Sequence, residues 1–181
     1  MNMYKLKFTK LQNEIFRLLC IKAGMSINQR GIARLLKVSP TAIAKATKLL
    51  EKEGLVKVEK SKTMNLLSME LNRNNPNTIA IKRTENLNLI QKTGIIGYLE
   101  ENFPGCTIIL FGSYSTGEDT EKSDIDIAII NSKGKELDLS RFDKLLERTV
   151  FLHFYKDFNS MEKELKANIF NGIVLSGAIE L

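Results

Sequence analysis

Tryptophan is absent from this 181-residue chain, histidine occurs once, cysteine twice and proline three times. One histidine and two cysteines cannot build a structural zinc site without help from several carboxylates. Cys20 and Cys106 lie far apart, each in an apolar segment, so they are expected as two buried free thiols in a reducing compartment rather than as a disulfide framework. No apolar run approaches the ~18–20 residues that cross a bilayer. The basic start, Met1 to Lys10, lacks the apolar stretch and small-residue cleavage site of a signal peptide. These absences lead to the expectation of a cytoplasmic protein with no membrane partner. What remains, 43% hydrophobic and 27% charged residues, is the composition of an ordinary folded chain.

The net charge of +6 conceals a division. Residues 1–84 hold 17 Lys+Arg against 5 Asp+Glu, whereas residues 85–181 hold 10 against 16. A half at +12 attracts a polyanion. A half at −6 repels one unless its carboxylates hold a cation. The sequence is therefore expected to do two jobs in two regions.

In the basic half, Thr9 can cap a helix with Gln12 three residues on, as in a capping box. Leu11, Ile15, Leu18 and Leu19 then recur at helical spacing, and Gly24 supplies a stop. Asn28 can cap a second helix through Ile32, Leu35 and Leu36. Val38-Ser39-Pro40 breaks that helix and opens a third, from Pro40 to about Glu53, with Ser39 as its cap. The third helix turns Ile43, Ala46, Leu49 and Leu50 one way and Thr41, Lys45, Lys48 and Lys52 the other. Leu55–Lys60 and Leu66–Leu71 read as the two strands of a hairpin.

Three short helices, a lysine-faced third helix and a hairpin resemble the winged helix-turn-helix family over about residues 8–73, most closely in Asn28–Ile43 and Glu51–Val56. The resemblance implies binding of double-stranded DNA with the third helix in the major groove, and commonly a homodimer on two half-sites. By it, Ser39, Thr41, Ala42 and Lys45 are base-edge candidates, and Lys48, Arg30, Arg34, Lys37, Lys60 and Lys62 are phosphate candidates. A solvated helix face, or a module that docks a protein partner, is the competing reading.

Leu71–Thr78 is polar and turn-rich, which places a domain boundary near residue 73. Residues 74–104 are expected as a helical linker, with Leu87, Ile90, Ile95 or Ile96 and Leu99 at helical spacing. Gly94 and Gly97 leave open one long helix or two short ones. Phe103-Pro104-Gly105 ends it.

Residues 105–181 carry the chemistry. Cys106–Phe111 reads as a buried strand and is followed at once by Gly112-Ser113. Ten residues later comes Asp124-Ile125-Asp126-Ile127-Ala128-Ile129-Ile130, a second strand, whose two aspartates share a face. Neighbouring carboxylates repel, and a hard divalent ion relieves that repulsion while bridging to phosphate oxygens. Gly112 lets backbone approach a phosphate closely. Strand, Gly-Ser turn, spacer and Asp-x-Asp strand together suit a metal–triphosphate cradle.

Phe111–Gly117 and Ser123–Ala128 resemble the minimal nucleotidyltransferases of the polymerase-beta-like superfamily. That resemblance implies a small mixed sheet flanked by helices, hence an α+β chain as a whole. It also implies transfer of a nucleoside monophosphate from a nucleoside triphosphate to an acceptor, which could be a protein. By it, Gly112 and Ser113 hold the triphosphate, and Asp124 and Asp126 bind Mg²⁺ or Mn²⁺. The family's third carboxylate sits on a later strand, here Thr149–Tyr155, which contains no Asp or Glu. His153 is the titratable residue in that slot, as a catalytic group or as a satisfied structural histidine. An imidazole is a poor Mg²⁺ ligand, so a non-catalytic nucleotide sensor or an antitoxin-like interaction module is the alternative.

Overall fold

The computed structural model describes residues 8–60 and 67–179. The chain divides into two compact units, residues 1–78 and 79–181.

The first unit contains α1 (Lys10–Ile21), β1 (Ile27–Asn28), α2 (Gln29–Leu36), α3 (Pro40–Lys52), β2 (Val56–Lys60) and β3 (Leu67–Leu71). Each helix start follows from its cap. The Thr9 amide donates to Gln12 Oε1 at 2.8 Å and the Gln12 amide to Thr9 Oγ1 at 3.3 Å, completing the capping box. Asn28 Oδ1 accepts from the Gly31 amide at 2.8 Å. Ser39 Oγ accepts from Ala42, with Pro40 opening α3. Ile15, Phe16, Leu19, Ile32, Ile43, Leu50, Leu55 and Met69 form the core. A two-residue strand, β1, joins the hairpin, giving an antiparallel sheet in the order β1-β3-β2, with Ile27 opposite Met69. Two residues are too short a run to show strand periodicity in the sequence. Cys20 is buried, as expected.

A continuous helix, α4 (Pro76–Thr93), leads into the second unit, and α5 (Ile95–Asn102) follows. Between them Gly94 adopts φ +74°, which ends the first helix in a left-handed turn. Of residues 74–104, expected as a helical linker, 79–104 belong to the second unit, where Ile90, Ile95, Leu99 and Phe103 are buried in its main core. Then come β4 (Thr107–Phe111), α6 (Gly112–Thr116), β5 (Ile125–Ile130), α7 (Ser140–Leu146), β6 (Val150–Tyr155), α8 (Lys163–Phe170) and β7 (Ile173–Ser176).

The four strands form one mixed sheet in the order β6-β5-β4-β7. β5 and β6 run parallel, whereas β4 is antiparallel to both β5 and β7. Alternation sorts the side chains onto two faces. Ile108, Leu110, Ile125, Ile127, Ile129 and Val150 pack with α5 and α7 residues. Ile109, Phe111, Ala128 and Ile130 pack with Phe158 and, from α8, Ile169 on the other face. The whole chain is α+β. Cys106, expected as buried, is only partly covered: it sits at the mouth of β4, where its thiol donates to the Asn131 carbonyl at 3.3 Å.

Candidate functional site

In the first unit, Thr41, Lys45, Lys48 and Lys52 of α3 are exposed together with Arg30 and Arg34 of α2, Lys37 and Lys60. The opposite side of α3 buries Ile43, Thr47 and Leu50. Thr47 is buried with its polar group satisfied: its hydroxyl donates to the Ile43 carbonyl at 2.8 Å and meets Met69 Sδ at 3.4 Å. Ser39 and Ala42 stand at the start of α3, and the Ser39 hydroxyl already serves as helix cap. Lys62 lies outside the described residues. Gln29 escaped the sequence reading: its side chain donates to the Pro40 carbonyl and ties the start of α2 to the start of α3. A link across 11 residues leaves no periodic trace in a sequence.

In the second unit the register brings the Gly-Ser turn and the acidic strand together. Phe111, the last residue of β4, is paired with Asp126 on β5. Gly112 then turns the chain at φ +72°, and a Cβ placed there would stand 3.0 Å from Asp126 Oδ2. That position needs glycine for its backbone angle and for space. The turn is locked from within. Ser115 Oγ donates to the Gly112 carbonyl at 2.8 Å, and the Glu118 and Asp119 amides donate to the Ser113 carbonyl at 3.0 and 3.2 Å. Gly117 lies so close to α4 that a Cβ would meet the Ile79 carbonyl at 2.6 Å.

Asp124 precedes β5, which begins at Ile125, and it is exposed; Asp126 lies inside the strand and is half-buried. His153 of β6 is paired with Ala128, which puts it on the same face as Asp126. Its Nε2 lies 2.9 Å from Asp126 Oδ1, a hydrogen bond between imidazole and carboxyl whose direction follows the imidazole tautomer. The imidazole also meets the Phe111 ring edge-on, with centroids 5.3 Å apart. Tyr155 follows on that face; burial, and then the negative charge of Asp126, push its hydroxyl above the ordinary phenol pKa.

Among the described residues no group of three or more His, Cys, Asp and Glu side chains is placed to hold a metal ion. The pair Asp124 and Asp126 suits one hard cation completed by phosphate oxygens and water. It does not suit a second cation, because the next position is an imidazole already bonded to Asp126.

A second cluster was not legible in the sequence. Lys82 of α4, Asn86 of α4, Asp119 and Arg148 are all buried. Asp119 Oδ1 accepts from Lys82 Nζ and, at 2.7 Å, from Asn86 Nδ2, while Arg148 lies 3.9 Å from Oδ2. Asn86 Nδ2 also donates to the Tyr114 carbonyl at 2.9 Å. The cluster therefore fastens the segment that follows the Gly-Ser turn to α4.

A capped three-helix unit with a small antiparallel sheet, followed by a mixed sheet with a Gly-Ser turn beside an Asp-x-Asp strand, defines the class: winged helix joined to nucleotidyltransferase-type domain. Residues 93–175 match the nucleotidyltransferase domain family, and residues 12–63 match the MarR family. The chain thus carries a MarR-type winged-helix domain and a nucleotidyltransferase domain. No curated protein matches it. Among solved structures it is similar to the zinc-responsive MarR family member ZitR of Lactococcus lactis, at 22% identity over 55% of this chain and 66% of that one, with a TM-score of 0.41. A single-site mutant of ZitR aligns at 21% identity over 57% of this chain and 67% of that one, again with a TM-score of 0.41. The adhesin competence repressor AdcR of Streptococcus pyogenes aligns at 21% identity over 55% of this chain and 70% of that one, with a TM-score of 0.41. At these scores the likeness carries no functional argument. Among the described residues no helix is long and apolar enough to cross a membrane.

Proposed function

We propose that this protein is a DNA-binding regulator whose second domain binds a nucleoside triphosphate with one Mg²⁺ or Mn²⁺. The observation that carries the nucleotide half is the closeness of Gly112 to Asp126: a turn at φ +72°, an angle that favours glycine, set against a carboxylate on the neighbouring strand. Gly112 and Ser113 receive the phosphates, and Asp124 and Asp126 hold the cation. When bound, that ion neutralises triphosphate charge and polarises the phosphoryl group. The chain's own contribution is placement: the locked turn fixes where phosphates sit, and His153 orients Asp126 through its Nε2.

The DNA half rests on the exposed row Thr41, Lys45 and Lys48 of α3, flanked by Arg30, Arg34 and Lys60, in a half of the chain that carries +12. In this reading α3 enters the major groove of double-stranded DNA, and the protein acts in the cytoplasm as a homodimer on paired half-sites. The boundary between the functions falls near residue 78, where the two units divide.

Transfer of the nucleoside monophosphate to an acceptor, protein or otherwise, is slow in this reading. The group beside Asp126 on β6 is His153 and not a carboxylate, so no acid is placed there to share a second cation. The same observation favours the second reading, a nucleotide sensor or antitoxin-like module without turnover. Incubation with each radiolabelled nucleoside triphosphate and Mg²⁺ separates the two. Label transferred by the native chain and lost in Asp124→Ala/Asp126→Ala establishes the enzyme. Retained nucleotide with no transfer establishes the sensor. Absence of triphosphate binding in the presence of either metal refutes both the enzyme and the sensor, and leaves the antitoxin-like module.

A further inference from the structure

We infer that Phe151 is the platform on which the base of the bound nucleotide stacks; this rests on the nucleotide reading above. Along β6 the residues Val150, Leu152 and Phe154 join the main core. Phe151 belongs to the opposite face, and 48% of it remains exposed. A single exposed phenylalanine needs no explanation by itself. Its row does call for one. Phe151 is paired with Asp126, and Asp126 with Phe111, so the end of β4, the acidic residue and the exposed ring stand abreast on three adjacent strands.

At a strand spacing of about 4.8 Å, the ring-bearing position is one step from the carboxylate and roughly 10 Å from the residue that enters the Gly-Ser turn. Phosphates at the turn and a cation at the aspartates direct the remainder of a nucleotide toward the next strand. Among the described residues β6 is an edge strand of the sheet, and its Phe151 ring stays half exposed. Stacking on an aromatic face is tolerant of base identity, because every base presents a π-surface. The site is thus expected to hold any nucleobase, with purines, the larger rings, held more tightly.

The test compares MgATP with magnesium tripolyphosphate, which has the phosphates and no base, by calorimetry on the full chain. Phe151→Ala should weaken MgATP binding about tenfold, the scale of one base–aromatic stack, and leave tripolyphosphate affinity unchanged. Phe151→Trp should restore MgATP binding. Since the chain has no other tryptophan, its fluorescence should change on adding MgATP and stay constant with tripolyphosphate. No loss for either ligand overturns the stacking role and leaves the phosphate site as proposed, and equal loss for both overturns it by making Phe151 a support of the phosphate site instead. Native protein that binds neither ligand overturns the nucleotide reading itself, and Phe151 with it. Because the ring is half exposed, the unfolding midpoint of Phe151→Ala should stay near that of the native chain, which guards against a trivial loss of fold.

Discussion

Replacing Asp119 by Asn removes the negative charge from a cluster that is sealed from solvent. Lys82 and Asp119 have side-chain exposures of 0% and 1%, and Arg148 is 3% exposed. Asparagine keeps the shape and part of the hydrogen bonding to Asn86, but it leaves Lys82 and Arg148 without that counter-charge. Removing one partner of a buried pair costs about 3–5 kcal/mol, because a charge stays buried and uncompensated. A domain of this size is stable by only about 5–15 kcal/mol. At about 4–8 °C per kcal/mol, a loss near 3 kcal/mol lowers the melting temperature of the second unit by roughly 12–24 °C. Near-ultraviolet circular dichroism during denaturant unfolding is a suitable assay, since Tyr98, Tyr114 and Tyr155, three of the four tyrosines, belong to this unit. The midpoint should fall with the slope preserved. Combining Asp119→Asn with Lys82→Met should cost less than the sum of the two single changes, because the double variant removes the buried lysine charge that faces Asp119. A loss below about 0.5 kcal/mol, the range of ordinary surface changes, would refute the argument, and so would strict additivity.

Gly112→Ala should be worse for binding than for folding: forcing φ +72° on an L-residue costs about 1–2 kcal/mol, whereas its methyl would crowd Asp126, so calorimetry should show MgATP binding lost while the fold persists. Lys48→Ala should weaken DNA binding uniformly across sequences and reduce the slope of log affinity against log salt by about 1, whereas Lys45→Ala should relax discrimination between sequences; an unchanged slope for the first and unchanged discrimination for the second in fluorescence-anisotropy titrations would make these lysines a solvated face only. Tyr155 should ionise above the ordinary value of 10.0 for a tyrosine hydroxyl, with burial the larger cause and Asp126 the smaller. Its folded pKa is raised, so its contribution to stability is fully present below the unfolded value and is lost as pH climbs through the folded one. Tyrosinate absorbance, compared between the native chain and Tyr155→Phe, follows this directly, and Asp126→Asn should shift the Tyr155 titration part of the way back.

Features written in short-range chemistry were the ones open to reading from sequence. Thr9 with Gln12, Asn28 and Ser39 with Pro40 each fix a helix start within three residues, and all three act as expected. The alternation Ile125, Ile127, Ile129 against Asp126, Ala128 fixed the faces of β5, and with it the side on which Asp126 lies. His153 came from the resemblance, as the titratable residue in the slot of the family's third carboxylate, and its Nε2 lies 2.9 Å from Asp126 Oδ1. What stayed hidden depends on partners distant in the chain. Lys82 looks like any helix-surface lysine until Asp119, 37 residues later, is placed against it. The role of α4 was missed for the same reason, since its weak apolar periodicity reflects a helix that buries Lys82 and Asn86 alongside Ile90.

That concealment bears on how the candidate site is held. A turn that receives phosphates must stay rigid with no ligand present, or each binding event loses free energy to ordering it. Here the order comes from two sources. The first is local: Ser115, Glu118 and Asp119 close bonds onto the carbonyls of Gly112 and Ser113. The second is remote: Asn86 holds the Tyr114 carbonyl and Asp119 together, and Gly117 admits α4 to within contact of its backbone. Residues 79–92 lie outside the segment that matches the nucleotidyltransferase domain family, which begins at residue 93. A chain trimmed to that segment would keep Gly112, Ser113, Asp124, Asp126 and His153. It would lose Lys82 and Asn86, two of the buried partners of Asp119, and keep Arg148. Such a fragment, expressed alone, should therefore bind MgATP more weakly than a chain starting at residue 79, though both contain every residue that would touch the nucleotide. Equal affinity for the two would mean that the local bonds suffice and that the buried cluster stabilises the fold without shaping the site.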